Sequence, residues 1–321
     1  MRCVKLCFAL IAAGLVAAPV QAQDLELELD LEEMAQAVEA WAGENLDEEA
    51  LRVLREADRE EVNRFFAELQ KQLHGEYVLD LAGLKEAAGA VLPLLERHEE
   101  TAPYAAWLRP RLDYLEVADQ LVLKVRPPRV EPGQPAPPRT NPPPALQQEI
   151  WARKLAREPW PAPAKSYVPQ LKPIFKQAGV PPELVWIAEV ESSFDARARS
   201  PAGAAGLFQL MPATARQYGL RTTWPRDQRV KPELCAQAAA QHLAYLHRQF
   251  KDWRLALAAY NAGEGTVRNA LKRQRVESFE AVAPRLPAET QMYVPRVEAT
   301  LLRREGLSLD RLRLPPQSGR S

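Results

Sequence analysis

Glu191 is the residue of this 321-residue chain whose placement most directly invites chemistry. Residues 182–194 read PELVWIAEVESSF and open with Pro182, a residue suited to the first turn of a helix. Leu184, Ile187 and Ala188 recur at helical spacing, and Glu191 is the next residue on that apolar stripe. A carboxylate there is partly desolvated, which favours its protonated form. The negative end of the helix dipole pushes the same way, because Glu191 falls in the last turn. A carboxylic acid that keeps its proton near neutral pH is what general-acid catalysis requires. A buried Glu can equally be a structural residue paired with an arginine or bonded to backbone, and the helix alone does not separate these two readings.

Further polar residues stand in apolar settings downstream. Ser192, Ser193 and Phe194 follow directly, and residues 200–212 read SPAGAAGLFQLMP. Gly203 and Gly206 suit a tight reversal, and Gln209 places a four-way hydrogen-bonding amide among apolar residues, where it needs a polar ligand or a buried partner. Trp253, Leu257 and Tyr260 share one helix face that runs into Asn261-Ala-Gly263, a sequence suited to a left-handed helix stop. Tyr293 sits in Glu289-Thr-Gln-Met-Tyr293-Val-Pro295, at the start of a helix that Pro295 should bend. Singly, either tyrosine would pass for a core aromatic with a satisfied hydroxyl.

The elements that hold these residues read as helices: 167–178 stopped by Gly179, the Glu191 helix, 213–218, 233–250, 253–260, a segment near 267–271, and 288–302. They fall in a region spanning 145–308. Before it, residues 127–144 hold nine prolines in eighteen and read as an extended, semi-stiff linker. Residues 23–126 read as an acidic helical domain, with Phe65, Phe66, Leu69, Trp107, Leu112 and Leu115 among its apolar repeats and no motif that carries chemistry. It suits a spacer or a docking module for an envelope protein partner. Residues 309–321 form a short tail.

Residues 1–22 combine Arg2 and Lys5, an apolar stretch and Val20-Gln21-Ala22, and read as a cleavable secretory signal. The apolar run is short for a bilayer span, so the expected product is exported and periplasmic, with no stable membrane span. Cys3 and Cys7 lie in that signal, which leaves Cys235 on a helical stripe with Ala239, Leu243 and Leu246, a core thiol rather than a disulfide partner. The formal net charge of zero hides a split: residues 1–150 carry 15 Lys+Arg against 27 Asp+Glu, and residues 151–321 the reverse. The acidic half either presents a solvated face or docks on the basic half. Scattered Arg and Lys in an exported chain suit an envelope polymer better than nucleic acid.

Taken in order, Glu191-Ser-Ser-Phe194, the run from Gly203 to Pro212, Ala259-Tyr-Asn-Ala-Gly263 and Glu289-Thr-Gln-Met-Tyr293-Val294 resemble the catalytic domain of the soluble-type lytic transglycosylases. The likeness covers residues 167–302 and is nearest to the membrane-bound lytic murein transglycosylase D group, without that group's frequent C-terminal polymer-binding LysM repeats. It implies a mainly α, lysozyme-like catalytic domain with a small β-hairpin lobe, acting on peptidoglycan glycan strands. It makes Glu191 the catalytic acid and base. Gln209 would contact the sugar, Tyr260 and Tyr293 would line the cleft, and Asn261 would hold the cleft loop or substrate. Ser192 would hydrogen-bond beside Glu191, and Met211 would pack in the cleft wall. Phe208 and Ala196 depart from the family's usual residues.

The implied reaction cleaves the bond between MurNAc and GlcNAc without water and closes a 1,6-anhydro ring. Two alternatives remain: a hydrolytic, goose-type muramidase using a second acid such as Asp195 or Asp227, and a non-catalytic glycan-binding protein of the envelope. No cofactor or metal is expected. His242 and His247 are five residues apart and face different sides of their helix, the wrong spacing for a zinc pair.

Overall fold

Proline and glycine mark most helix boundaries in the computed structural model, which describes residues 59–97, 99, 101–125, 139–223 and 225–316. The expected signal, the acidic run before residue 59 and most of the proline-rich stretch lie outside those residues. The helices of the described residues begin with α1 (Arg59–His74), α2 (Lys85–Glu96), α3 (Ala102–Val125) and α4 (Pro144–Leu155). They are followed by α5 (Ala164–Gln177), α6 (Ile187–Ser192), α7 (Pro212–Gln217), α8 (Pro232–Phe250), α9 (Trp253–Ala262), α10 (Glu264–Gln274), α11 (Phe279–Val282) and α12 (Ala288–Glu305). Helices α4, α7 and α8 each begin on a proline, whose missing N–H is no loss there. The Asp252 carboxylate caps α9 by accepting the Leu255 N–H at 2.8 Å. Helix α12 runs unbroken through Pro295.

Two expectations are refined. The single helix read across residues 182–194 is a 3₁₀ turn at Pro182–Trp186 followed by the short α6, a tightened start common at helix termini. The hairpin lobe consists of two isolated antiparallel bridges, Arg199 to Ala205 and Ala205 to Leu210. Among the described residues no helix is long and apolar enough to cross a membrane.

Two hydrophobic cores meet on α12. One gathers α5, α6, α8 and α9 around Phe175, Trp186, Phe194, Phe208 and Leu243, and takes Tyr293, Val294, Val297 and Leu301 from α12. The other gathers α1, α2 and α3 with Ile150, Trp151 and Leu155 of α4, and takes Ala288, Met292 and Ala299 from the opposite side of α12. Helix α12 is therefore buried nearly all round, as a central helix must be. The second core joins residues on both sides of the proline-rich stretch, so the sharp change in composition is not where the packing divides. Cys235 is a free, fully buried thiol in the first core, and burial pushes its pKa up to about 12.

Candidate active site

Helix α6 is short because two consecutive residues after it, Ser193 (φ 51°) and Phe194 (φ 61°), adopt left-handed backbone. That conformation is costly for a bulky side chain. It is offset by burial: Phe194 is 1% exposed and packs against Trp186 and Tyr167, with ring centroids at 5.7 and 6.4 Å. The stop leaves two acids of α6 on different partners. Glu189 is gripped by Arg304, whose Nη2 and Nε donate to its two carboxylate oxygens at 2.7 and 3.0 Å. Glu191 receives no such fork.

Glu191 is 5% exposed, and its Oε1 accepts a 2.8 Å hydrogen bond from the Tyr293 hydroxyl of α12. Its Oε2 lies 3.7 Å from Nη2 of Arg111, which reaches in from α3. Arg111 Nη1 donates to the main-chain carbonyl of Glu191 at 2.9 Å and to that of Trp107 at 3.2 Å. The guanidinium lies 4.6 Å from the centre of the Trp107 ring, and its Nη2 also approaches Glu289 Oε1 at 3.4 Å. Burial pushes the Glu191 pKa up to about 7; Arg111 and the Tyr293 hydrogen bond pull it back, and Glu289 opposes them. The acid is thus both paired with an arginine and titratable near neutral pH.

The other expected residues have partners of their own. Tyr260 donates to the Phe208 carbonyl at 2.7 Å, and burial together with the charge of Glu191 holds both Tyr260 and Tyr293 well above the usual phenol range, so both are neutral donors. Asn261 Oδ1 accepts from the Thr290 hydroxyl at 2.6 Å, tying the end of α9 to the start of α12. Ser192 donates to the Leu207 carbonyl at 2.9 Å and so fastens the end of α6 to the glycine-rich run. Gln209, at φ 44°, donates to the carbonyls of Ala198 and Gly206 at 3.0 and 2.9 Å, and its Oε1 is covered and unpaired. Met211 is half-buried at the start of α7. Of the residues expected from sequence, only Tyr293 hydrogen-bonds the Glu191 carboxylate; Ser192, Asn261 and Gln209 tie neighbouring segments together.

A buried ion pair braces the glycine-rich run. Arg229 forks onto Asp227, with Nε at 3.1 Å and Nη2 at 2.9 Å, and its Nη1 donates to the carbonyls of Gly203 at 2.6 Å and Leu210 at 2.9 Å. Burial alone would raise the Asp227 pKa, but the Arg229 bonds outweigh it and hold the carboxyl below its usual value. Asp227 is thereby committed to the scaffold and is unsuited to activating water. Among the described residues no group of His, Cys, Asp and Glu could hold a metal ion. Sequence reasoning missed Arg111 and the Arg229 brace, and it quoted Glu289 only as part of a motif.

A family model described as "Transglycosylase SLT domain" matches residues 172–282. An Alteromonas sp. (strain M-1) protein named for tributyltin chloride resistance is 30% identical over 150 residues, 46% of this chain and 69% of that protein. The chain carries a transglycosylase SLT domain. Membrane-bound lytic murein transglycosylase D of Escherichia coli (strain K12) is 42% identical over 127 residues, 39% of this chain and 28% of that protein. Soluble lytic murein transglycosylase of Salmonella typhimurium is 35% identical over 120 residues, 35% of this chain and 19% of that protein. The chain thus spans less than a third of either transglycosylase's length. The matched SLT region contains Glu191, Gln209, Tyr260 and Asn261, whereas Tyr293, Glu289 and Arg111 lie outside it.

Proposed function

We propose that this SLT-domain chain is a peptidoglycan lytic transglycosylase, exported to the periplasm through residues 1–22, that cleaves the MurNAc-β-1,4-GlcNAc bond without water. The observation that carries this reading is the buried Glu191 carboxyl, with its pKa near 7 and a hydrogen bond from a neutral tyrosine. Such a group can give up a proton and take one back at neutral pH.

In the first step Glu191 protonates the bridging oxygen, the bond from that oxygen to C1 of MurNAc breaks, and the substrate's own N-acetyl oxygen bonds to C1. In the second step the Glu191 carboxylate takes the proton from the C6 hydroxyl of the same sugar. O6 then bonds to C1 and displaces the acetamido oxygen, which closes the 1,6-anhydro ring. The proton returns to Glu191, and no water is consumed. An intramolecular hydroxyl has the advantage of proximity. Tyr293 supports the carboxylate formed midway, and Tyr260, Gln209, Met211, Asn261 and Ser192 shape the cleft around it.

Purified protein incubated with peptidoglycan is expected to release anhydromuropeptides, identified by mass, and E191Q is expected to lower release by at least ~10³-fold, in keeping with loss of an essential acid and base. Reducing-end products would instead indicate hydrolysis with a second carboxylate, for which Glu289 is the acid that Arg111 brings near Glu191.

A further inference from the structure

Arg111 belongs to α3, 80 residues before Glu191 and outside the matched SLT region, yet it touches the acid twice. We propose that Arg111 is a positioning residue for the catalytic acid, fixing the main chain of Glu191 and stabilising the carboxylate that forms midway through the reaction, so that α3 is part of the active site. The proposal rests on Glu191 being the acid and base of the reaction above.

The geometry differs from that of a structural ion pair in the same molecule. Two residues away on α6, Glu189 takes a two-pronged grip from Arg304 at 2.7 and 3.0 Å, and Asp227 takes one from Arg229 at 2.9 and 3.1 Å. Arg111 instead spends Nη1 on two main-chain carbonyls and shares Nη2 between Glu289 at 3.4 Å and Glu191 at 3.7 Å, while its Nε is covered without a partner. A charge at that distance favours the ionised carboxyl without locking it there. A tight fork pulls harder towards the ionised form: Arg229 outweighs burial at Asp227, whereas at Glu189 burial still outweighs Arg304. With no cation, burial would hold it protonated and remove the base.

The charged and titratable groups facing Glu191 are Arg111 and Tyr114 from α3, Tyr260 from α9, and Glu289, Tyr293 and Arg296 from α12. Among them Arg111 is the cation nearest the carboxylate and Glu289 the competing anion on the same nitrogen. The two should therefore shift Glu191 in opposite directions when neutralised.

The test is a titration of the Glu191 carboxyl by carbon-13 NMR in full-length protein, with the signal assigned by its loss in E191Q. Alongside it, the pH profile of kcat/KM for anhydromuropeptide release is measured. R111Q is expected to raise the Glu191 midpoint by about one pH unit or more, the size of a lost charge partner, and to move the alkaline limb of kcat/KM with it. R111K keeps the charge and is expected to hold the midpoint near the wild-type value. E289Q is expected to lower the midpoint. An unchanged midpoint in folded R111Q overturns the proposal, as does a midpoint in E289Q that rises or stays put. If R111Q does not fold, E289Q decides. The titration needs no turnover, so it separates this proposal from the catalytic reading, which fails independently if E191Q still releases anhydro products.

Discussion

Glu191 makes the stability of the fold depend on pH in a direction opposite to that of most surface acids. Its carboxyl titrates at about 7 in the folded chain against 4.5 for a solvent-exposed glutamate. Between those values the native state binds more protons than the unfolded state, so stability falls as pH rises from 4.5 to 7 and stays lower above it. The shift corresponds to on the order of 3 kcal/mol. E191Q cannot ionise, so it is expected to melt above wild type at pH 8 and close to wild type at pH 4, where both side chains are neutral. Melting curves at the two pH values check this, and an equal difference at both would show that packing rather than charge is responsible. The position of Glu191 was legible in sequence because a carboxylate interrupts an apolar stripe. Arg111 carries the same signal, since Trp107, Arg111, Tyr114, Leu115 and Ala118 share one face of α3 and all are buried. It is one of several arginines on a helix without a motif, and nothing in its local sequence points to residue 191. Only the fold, which lays α3 against α6, shows that two misplaced charges complete each other.

At the scale of elements, the helices were largely readable and the connection between them less so. Prolines and glycines mark both ends of α5 and α7, the start of α8 at Pro232 and the end of α9 at Gly263, whereas α8 stops at left-handed Lys251 and α9 starts on the Asp252 cap; their apolar stripes match the buried faces. The glycine-rich run was recognisable as a tight reversal, but its reason was not. Gly206, at φ 84°, passes so close to the Arg229 main chain that a Cβ would sit 2.0 Å from the Arg229 carbonyl oxygen. That neighbour is backbone and is itself held by the Asp227 ion pair, so it cannot move aside cheaply. Gly206→Ala is therefore expected to cost roughly 2–4 kcal/mol, from the clash together with the left-handed backbone. It should displace Gln209 and Leu207, and with Leu207 the carbonyl that Ser192 holds. A urea titration measures the loss of stability. Gly203→Ala is the control: its Cβ would meet only the Pro212 side chain at 4.0 Å, so it should show only the smaller penalty of its positive φ. Equal losses at the two positions would mean that close approach at Gly206 contributes nothing.

At the scale of the whole molecule, the proline-rich stretch suggested two separable bodies, and the packing joins them. Helices α1, α2 and α3 cover one side of α12 and close a core with Ile150, Trp151 and Leu155 of α4. The joint is polar as well as apolar. Arg296 of α12 is 3% exposed, donates to the Pro110 carbonyl at 2.6 Å and to Asp113 at 2.7 Å, and lies 4.9 Å from the ring centres of both Tyr114 and Trp151. A chain beginning at residue 139 would keep the whole SLT match but lose those two hydrogen-bond partners, the Tyr114 face and Arg111. It would also leave Met292 and Trp151 without their cover. Truncation removes the oxygens that bind Arg296 and exposes the apolar face of α12 to water, and that lost burial destabilises what remains. Such a truncated chain is expected to bind hydrophobic dyes, to melt broadly and at lower temperature, and to release little or no anhydromuropeptide. Supplying residues 23–138 as a separate chain should restore part of both properties if the interface forms in trans. A truncated chain that melts sharply at the full-length temperature and retains full turnover would instead make α1–α3 a dispensable cover, and would leave Arg111 without a role in the reaction.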